Sequence, residues 1–269
     1  MSAVAVAGAF LRRDFRIAIS YRTAFALEFV SSLFILALFF YLGQVVDNAE
    51  FAADQNLEGG YFGYAAVGIA LLRIVQVSMT SFSGKLREEQ TSGTFEALMA
   101  TPTSPSVVIL SSAVYDLIRA TITGVVMIAA AVVIFGLSLE LDPLSLLTAV
   151  LALIGLLALF ASLGVAMAAF TVLFKRATAL VGLMIAALAL LGGVYFPVEV
   201  FPPVIEALAN ALPFTWGLDV LRSSLLGGDI EAWRIPALFG SAALLLPIAL
   251  FAFVASVRRA RSTGTLTTY

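Results

Sequence analysis

Four ionisable residues stand inside apolar stretches long enough to cross a bilayer: Glu28, Arg73, Asp116 and Arg119. Each would cost roughly 2.5–3.5 kcal/mol at a bilayer centre on the translocon scale, so each needs a partner or a purpose. Glu28 lies near one end of its stretch, where snorkelling to the interface explains it. Arg73 lies well inside its own, out of easy reach of either surface. Asp116 and Arg119 are at i and i+3, share a helix face and can pair. Two readings are open. The charges can form a structural cluster, either Arg73 with Asp116 and Arg119 or Arg73 with Glu28. Alternatively Arg73, Asp116 and Arg119 line a path, with Arg73 meeting an anionic headgroup or substrate.

Catalysis by these groups is disfavoured. The chain has no histidine and no cysteine, which removes the commonest general base, the thiolate nucleophile and the usual metal ligands. Tyr115-Asp116 matches half of an intramembrane aspartyl protease signature, but the Gly-x-Gly-Asp half is missing, and a carboxylate dyad needs two members. Neither His-Glu-x-x-His nor Gly-x-Ser-x-Gly occurs, and no Gly-x-x-x-x-Gly-Lys-[Ser/Thr] phosphate loop is present. We therefore expect no catalytic, cofactor or metal residues in this chain.

The elements that must position these charges follow from composition. The chain is 61% hydrophobic and only 12% charged, with a mean hydropathy of +1.05. A soluble domain carries about twice that charge fraction. The expected fold is an all-α membrane protein over 1–269, treated as one transmembrane domain. Apolar windows of about 20 residues predict six spans, over 24–46, 61–83, 106–136, 144–174, 177–196 and 233–257. The third and fourth exceed what a bilayer needs, so they tilt or project. The N-terminal arginines precede an apolar run too long for a cleaved signal peptide.

Basic residues set the orientation. Arg12, Arg13, Arg16 and Arg22 precede the first span, Lys85 and Arg87 follow the second, Lys175 and Arg176 follow the fourth, and Arg258, Arg259 and Arg261 follow the sixth. The alternate connections 47–59 and 137–143 carry only acidic charges. The positive-inside rule then places both termini in the cytoplasm.

Three segments lie between or before the spans. Residues 8–22 read as an interfacial helix with Leu11, Phe15, Ala18 and Ile19 on one face and Arg12, Arg13 and Arg16 toward the other; a plain basic flank is the alternative. Residues 84–105 (GKLREEQTSGTFEALMATPTSP) form a polar hinge with a short helix. Thr94 is its candidate cap, Phe95, Leu98 and Met99 share one face, and Pro102 ends it. Ser104-Pro105 is an N-cap with proline at N1 for the third span. A helix so short needs a partner surface, and its apolar face could instead rest on the membrane. Residues 197–232 read as a helical hairpin, extracellular or re-entrant. Pro197, Pro202 and Pro203 break the fifth helix, 203–212 forms a short helix, Pro213 ends it, Thr215 caps the next and Gly227-Gly228 stops that one.

These last two segments resemble a known family. GKLREEQTSGTFEALMATPTSPSVVIL resembles the stretch of ABC-2 type permeases that joins a charged run, Gly-Thr-x-Glu-x-Leu and a Thr-Pro-x-Ser turn. FPVEVFPPVIEALANALPFTWGLDVLR resembles the same family's Phe-Pro and Leu-Pro-aromatic-Thr stretch before the last span. The order of the two and the six-span topology also match. The resemblance implies a permease subunit of an ABC exporter, in a bacterial cytoplasmic membrane, with a separate ATP-binding cassette ATPase carrying ATP and Mg. It also implies a second permease copy or a sister permease, and no nucleic acid. The hinge would be the coupling helix, docking through Arg87, Glu88, Glu89, Thr94, Phe95, Glu96, Leu98 and Met99. The N-terminal helix would hold that contact, and the hairpin, with Phe196, Pro197, Pro213, Phe214 and Trp216, would form the outer gate. The expected cargo is an amphiphilic or hydrophobic compound such as a drug, lipid or lipid-linked molecule. A proton- or ion-coupled secondary carrier using Arg73, Asp116 and Arg119 is the alternative, although no repeat relates the halves.

Overall fold

The computed structural model of the chain describes residues 3–20, 22–46, 51, 55, 57, 59–94, 97, 98, 101, 103–173 and 177–262. Among the described residues the regular structure is all helical, with no strand. The helices are α1 (Ala3–Ile19), α2 (Arg22–Gly43), α3 (Gly60–Thr91), α4 (Pro105–Ser112), α5 (Val114–Phe135), α6 (Pro143–Leu173), α7 (Ala177–Leu191), α8 (Pro203–Asn210), α9 (Pro213–Leu226) and α10 (Arg234–Ser262), with a 3-10 turn at Val198–Val200 before α8. Among the described residues five elements are long and apolar enough to cross a membrane, α2, α3, the α4–α5 pair, α6 and α10, and α8 with α9 makes a sixth if that bent pair is one span.

α3 packs against α6 and α5, and α10 lies along α6. Two apolar cores result. One joins Val67, Leu71 and Val75 of α3 to Leu156 and Phe160 of α6 and to Phe214 and Leu218 of α9. The other, at the end of the bundle that carries Arg13, Lys85 and Arg258, joins Val6 and Phe10 of α1 to Phe82, Leu86, Val108, Ile109 and Phe253. We call this the basic end and the opposite one the far end. Gly164 of α6 lies against Ser78 and Phe82 of α3, where a Cβ would collide; small residues of this kind let membrane helices meet without a hydrophobic driving force.

Several boundaries depart from the sequence expectation. α3 does not stop at 83. At 1.5 Å per residue its 32 residues run about 48 Å, so its last turns project beyond a hydrocarbon core of about 30 Å. The polar stretch from 84 is therefore largely an extension of α3, closed by Gly93 at φ +74°, with Ser92 and Gly93 amides returning to Glu88 and Gln90. The predicted third span is one candidate crossing, Pro105–Phe135, with a one-residue interruption at Ala113 between α4 and α5. The Ser111-Ser112 pair precedes the break, and the Ser112 hydroxyl bonds back to the Ile109 carbonyl, a known cause of helix bending. The start at Ser104 and Pro105 is as expected: the Ser104 hydroxyl accepts from the Val107 amide at 3.4 Å.

α7 ends at Leu191 rather than near 196. Gly192 and the left-handed Gly193 (φ +72°) turn the chain there. Its 15 residues reach only about 22 Å. α8 and α9 meet at 77°, the geometry of a broken span or re-entrant loop. The expected cap at Thr215 is corrected: α9 begins at Pro213 with no side-chain cap. Thr215 instead donates to the Ala209 carbonyl at 2.8 Å and Trp216 Nε1 to the Asn210 carbonyl at 2.6 Å. Both bonds satisfy the open carbonyls at the end of α8. Within α10, Pro247 removes one helical bond.

Candidate functional site

The membrane charges are brought together by Glu28. Its Oε1 accepts from Arg73 at 2.7 Å and its Oε2 from Arg119 at 2.8 Å, tying α2, α3 and α5 in one triad. A carboxylate with two oxygens suits this double role, because each guanidinium takes one of them. Of the two clusters that the sequence left open, the structure forms Arg73 with Glu28, and Arg119 joins it. Glu28 is thus the hub rather than a snorkelling bystander. Asp116 forms no ion pair among the described residues; it lies near Lys85 and Arg119.

At the basic end, α1 is fastened to the projecting turns of α3. Arg13 donates to Asp14 at 2.8 Å and to Glu89 at 2.6 Å. Lys85 reaches Asp14 at 3.3 Å and Glu88 at 3.5 Å. The Thr94 hydroxyl donates to the second oxygen of Glu89. Burial works against the Arg13 charge, but the bonds from Glu89 and Asp14 outweigh it, so its pKa lies above the ordinary guanidinium value. α1 packs on the bundle through residues outside the apolar face read from the sequence, Val6, Phe10 and Asp14, and leaves Phe15 (56% exposed) and Ile19 of that face open. An interfacial helix has reason to do both, with one face on protein and one on lipid.

The residues expected to dock a partner fall into three groups. Arg87, Glu88 and Thr94 are exposed. Glu89 is only 9% exposed and engaged with Arg13 and Thr94. Leu98 is half-buried and packs on the basic-end core, lining a small cavity with Phe10, Leu86 and Phe253. Phe95, Glu96 and Met99 lie outside the described residues.

At the far end, the expected gate residues share one hairpin without forming one constellation. Phe214 is buried and meets Phe160 edge-on at 5.9 Å. Trp216 stands against Trp233 at 5.2 Å. Phe196 pairs with Phe201 at 5.4 Å, Pro197 precedes the 3-10 turn, and Pro213 opens α9. Val204 and Leu208 of α8 are 75% and 61% exposed, as an element facing lipid would be. The hairpin is held by a residue that sequence reasoning passed over. Arg222 of α9 is buried and donates to three carbonyls, Tyr64 at 3.1 Å, Gly193 at 2.8 Å and Val194 at 3.1 Å. Its guanidinium lies 3.3 Å over the Tyr64 ring, whose hydroxyl donates to Gly193 at 2.9 Å. Arg222 thus ties α3, the turn after α7 and α9 together. One signal pointed to it: Arg222 is a basic residue on the side that the positive-inside rule leaves acidic.

The triad, the fastened α1 and the arginine-held hairpin sit on one helical bundle, and a family model for the ABC-2 type transporter matches residues 5–226. This chain belongs to that family. Nodulation protein J of Neorhizobium galegae is 27% identical to it over 167 residues, 62% of this chain and 61% of the relative. The match therefore spans about three fifths of the relative's length. Membership makes the chain a multi-pass membrane permease, a transport component. The ABC-2 assignment covers both segments on which the resemblance rested, the 84–105 stretch and most of the 197–232 hairpin.

Proposed function

We propose that this permease couples ATP hydrolysis on a separate ATP-binding cassette subunit to export of an amphiphilic or hydrophobic compound, such as a drug, a lipid or a lipid-linked molecule. The basic end is the cytoplasmic side, both termini lie there, and the working unit contains a second permease, either a copy or a sister chain. ATP and Mg belong to the ATPase, and this chain binds no cofactor of its own.

The observation that carries the reading is the fastening of α1 to the end of α3 by Arg13, Glu89, Asp14 and Lys85. α3 projects past the membrane as a rigid rod, and the 92–104 connection hangs between that rod and α4. A push on the connection is therefore delivered to α3, α1 and α4 together, which are the elements a rocking motion has to move. Arg87, Glu88 and Thr94 supply exposed polar contacts, Phe95, Glu96 and Met99 the rest of the docking surface, and Glu89 positions the rod from inside. The hairpin held by Arg222, with Phe196, Pro197, Pro213, Phe214 and Trp216, is the outer gate. A carrier built on Asp116 and Arg73 is less favoured, because Arg73 is engaged by Glu28 instead.

The test is co-expression with a candidate ATP-binding cassette subunit, purification in lipid nanodiscs, and ATP hydrolysis for wild type and Phe95→Asp. Truncating or charging a buried interface anchor costs about 2 kcal/mol or more. We expect the variant to lose the complex or its lipid-dependent hydrolysis. A genuine complex indifferent to Phe95→Asp moves the docking site elsewhere, and failure to bind any such ATPase defeats the coupling reading.

A further inference from the structure

Between α1, α2 and α5 at the basic end lies an open groove of about 850 Å³, within the size range of small-molecule sites. Its walls are apolar, with Phe29 of α2 and Ile122 of α5 among them, and its polar side chains are few: Arg12, Glu28, Tyr115, Arg119 and Thr123. Arg12 is exposed at the α1 side and forms no ion pair among the described residues. Glu28 is shared between Arg119, which lines the groove, and Arg73 behind it. Two guanidiniums and one carboxylate thus line the groove, and that carboxylate is shared with a third guanidinium outside it. Of the other charges nearby, Asp116 lies outside the groove lining and near both Lys85 and Arg119, while Asp14 is turned into the bundle with Arg13 and Lys85.

We propose that this groove binds an anionic phospholipid, with its phosphate on Arg12 and Arg119 and its acyl chain along Phe29 and Ile122. The charge excess is the argument. Cations at a membrane are stabilised by pairing, and Arg12, which meets no carboxylate among the described residues, offers a charge that an anionic headgroup can complete. The groove is open rather than enclosed, and along α5 its apolar residues Ile122 and Val126 follow Arg119 as a chain follows its headgroup. A second copy of this chain is a poorer occupant. A two-fold contact would set the same guanidiniums against each other. The proposal does not depend on whether an ATPase drives the chain.

Native mass spectrometry of the full chain, released from phosphatidylcholine nanodiscs with or without phosphatidylglycerol, reads the binding directly. Phosphatidylglycerol should be retained in preference to phosphatidylcholine. Each arginine near a headgroup contributes enough that Arg12→Gln and Arg119→Gln should each weaken retention roughly fivefold. Glu28→Gln should strengthen it by a similar factor, an opposite sign that loss of structure would not produce. Arg12 is exposed, so Arg12→Gln keeps the test usable if the triad variants fail to fold. Equal retention of the two lipids, or a preference unmoved by Arg12→Gln, overturns the proposal. So does efficient cross-linking of two copies through Phe29→Cys and Ile122→Cys in intact membranes, a clean test because the chain has no native cysteine.

Discussion

Two arginine sites lie within the bundle, and they are satisfied in opposite ways. At the far end Arg222 is 2% exposed and is caged by three backbone carbonyls and a tyrosine ring. Toward the basic end, Arg73 and Arg119 are 37% and 30% exposed along their side chains and share one carboxylate. The first site spends its charge on backbone dipoles that cannot leave, and so fixes a turn and a hairpin. The second holds its charge with a side chain and keeps part of it facing a groove. One is an internal strut. The other joins three helices while remaining open to a ligand.

The sharpest way to break this contrast is Arg222→Met. It removes the guanidinium from three buried carbonyls, of which Gly193 keeps the Tyr64 hydroxyl, and strips the Tyr64 ring of its cation. An unsatisfied buried group costs about 1–3 kcal/mol. We expect a loss of about 3 kcal/mol or more, read as a large drop in melting temperature in detergent or nanodiscs. A second charge change should not rescue it, because the partners are backbone. If Arg222→Met melts like wild type, the far-end site is not a strut.

Gly68→Ala tests the same cage from its wall. A Cβ at Gly68 would stand 2.5 Å from the Val194 carbonyl oxygen and 2.8 Å from Arg222 Nη2. Overpacking of this kind costs about 1–3 kcal/mol. The expected result is a smaller destabilisation than Arg222→Met and little further loss when the two are combined, since one change already opens the cage.

The contrast also explains what the sequence could show. The apolar windows found α2, α3, the α4–α5 pair, α6 and α10, because lipid demands long apolar helices whatever their packing. Ser104-Pro105 was legible because a cap and an N1 proline act locally. Glu28 was visible as a membrane charge, and the carboxylate nearest Arg73 in space proved to be this one, on another helix. Arg222 was harder. Its partners are carbonyls freed by the turn at Gly193, and every residue has a carbonyl, so no side-chain pattern announces them. Thr215 misled for a related reason: a threonine after a proline suggests a cap, but the hydroxyl serves the end of α8 instead. The interruption at Ala113 left only the weak trace of two adjacent serines.

Glu28→Gln sharpens the other half of the comparison. It leaves Arg73 and Arg119 without their shared carboxylate. Removing one member of a buried pair costs about 3–5 kcal/mol, but these side chains are about a third exposed and the cost is discounted accordingly. A loss of about 1–2 kcal/mol is expected. Unlike the far-end strut, this site should be rescuable. Glu28→Gln with Arg73→Gln removes one charge of each sign and should recover part of the stability. Melting temperatures of the single and double variants decide it; a double variant worse than the sum of its parts would mean that the triad is held by packing rather than charge.

The smallest effect is expected at the fastening of α1. Glu89→Gln keeps the shape and removes the charge that Arg13 and Thr94 contact. Arg13 is 39% exposed on its side chain, and an ion pair so open to water contributes under about 1 kcal/mol. The melting temperature should therefore barely move. The position of α1 should move more, because Arg13 is then held by Asp14 alone while Lys85 keeps its own contact to Asp14. A spin-label pair on Arg16→Cys and Arg87→Cys, both exposed, would read this as a broadened distance distribution at unchanged stability. A narrow distribution in Glu89→Gln would show that Val6 and Phe10 alone seat α1 on the basic-end core, and that its polar fastening is not what carries motion between α1 and α3.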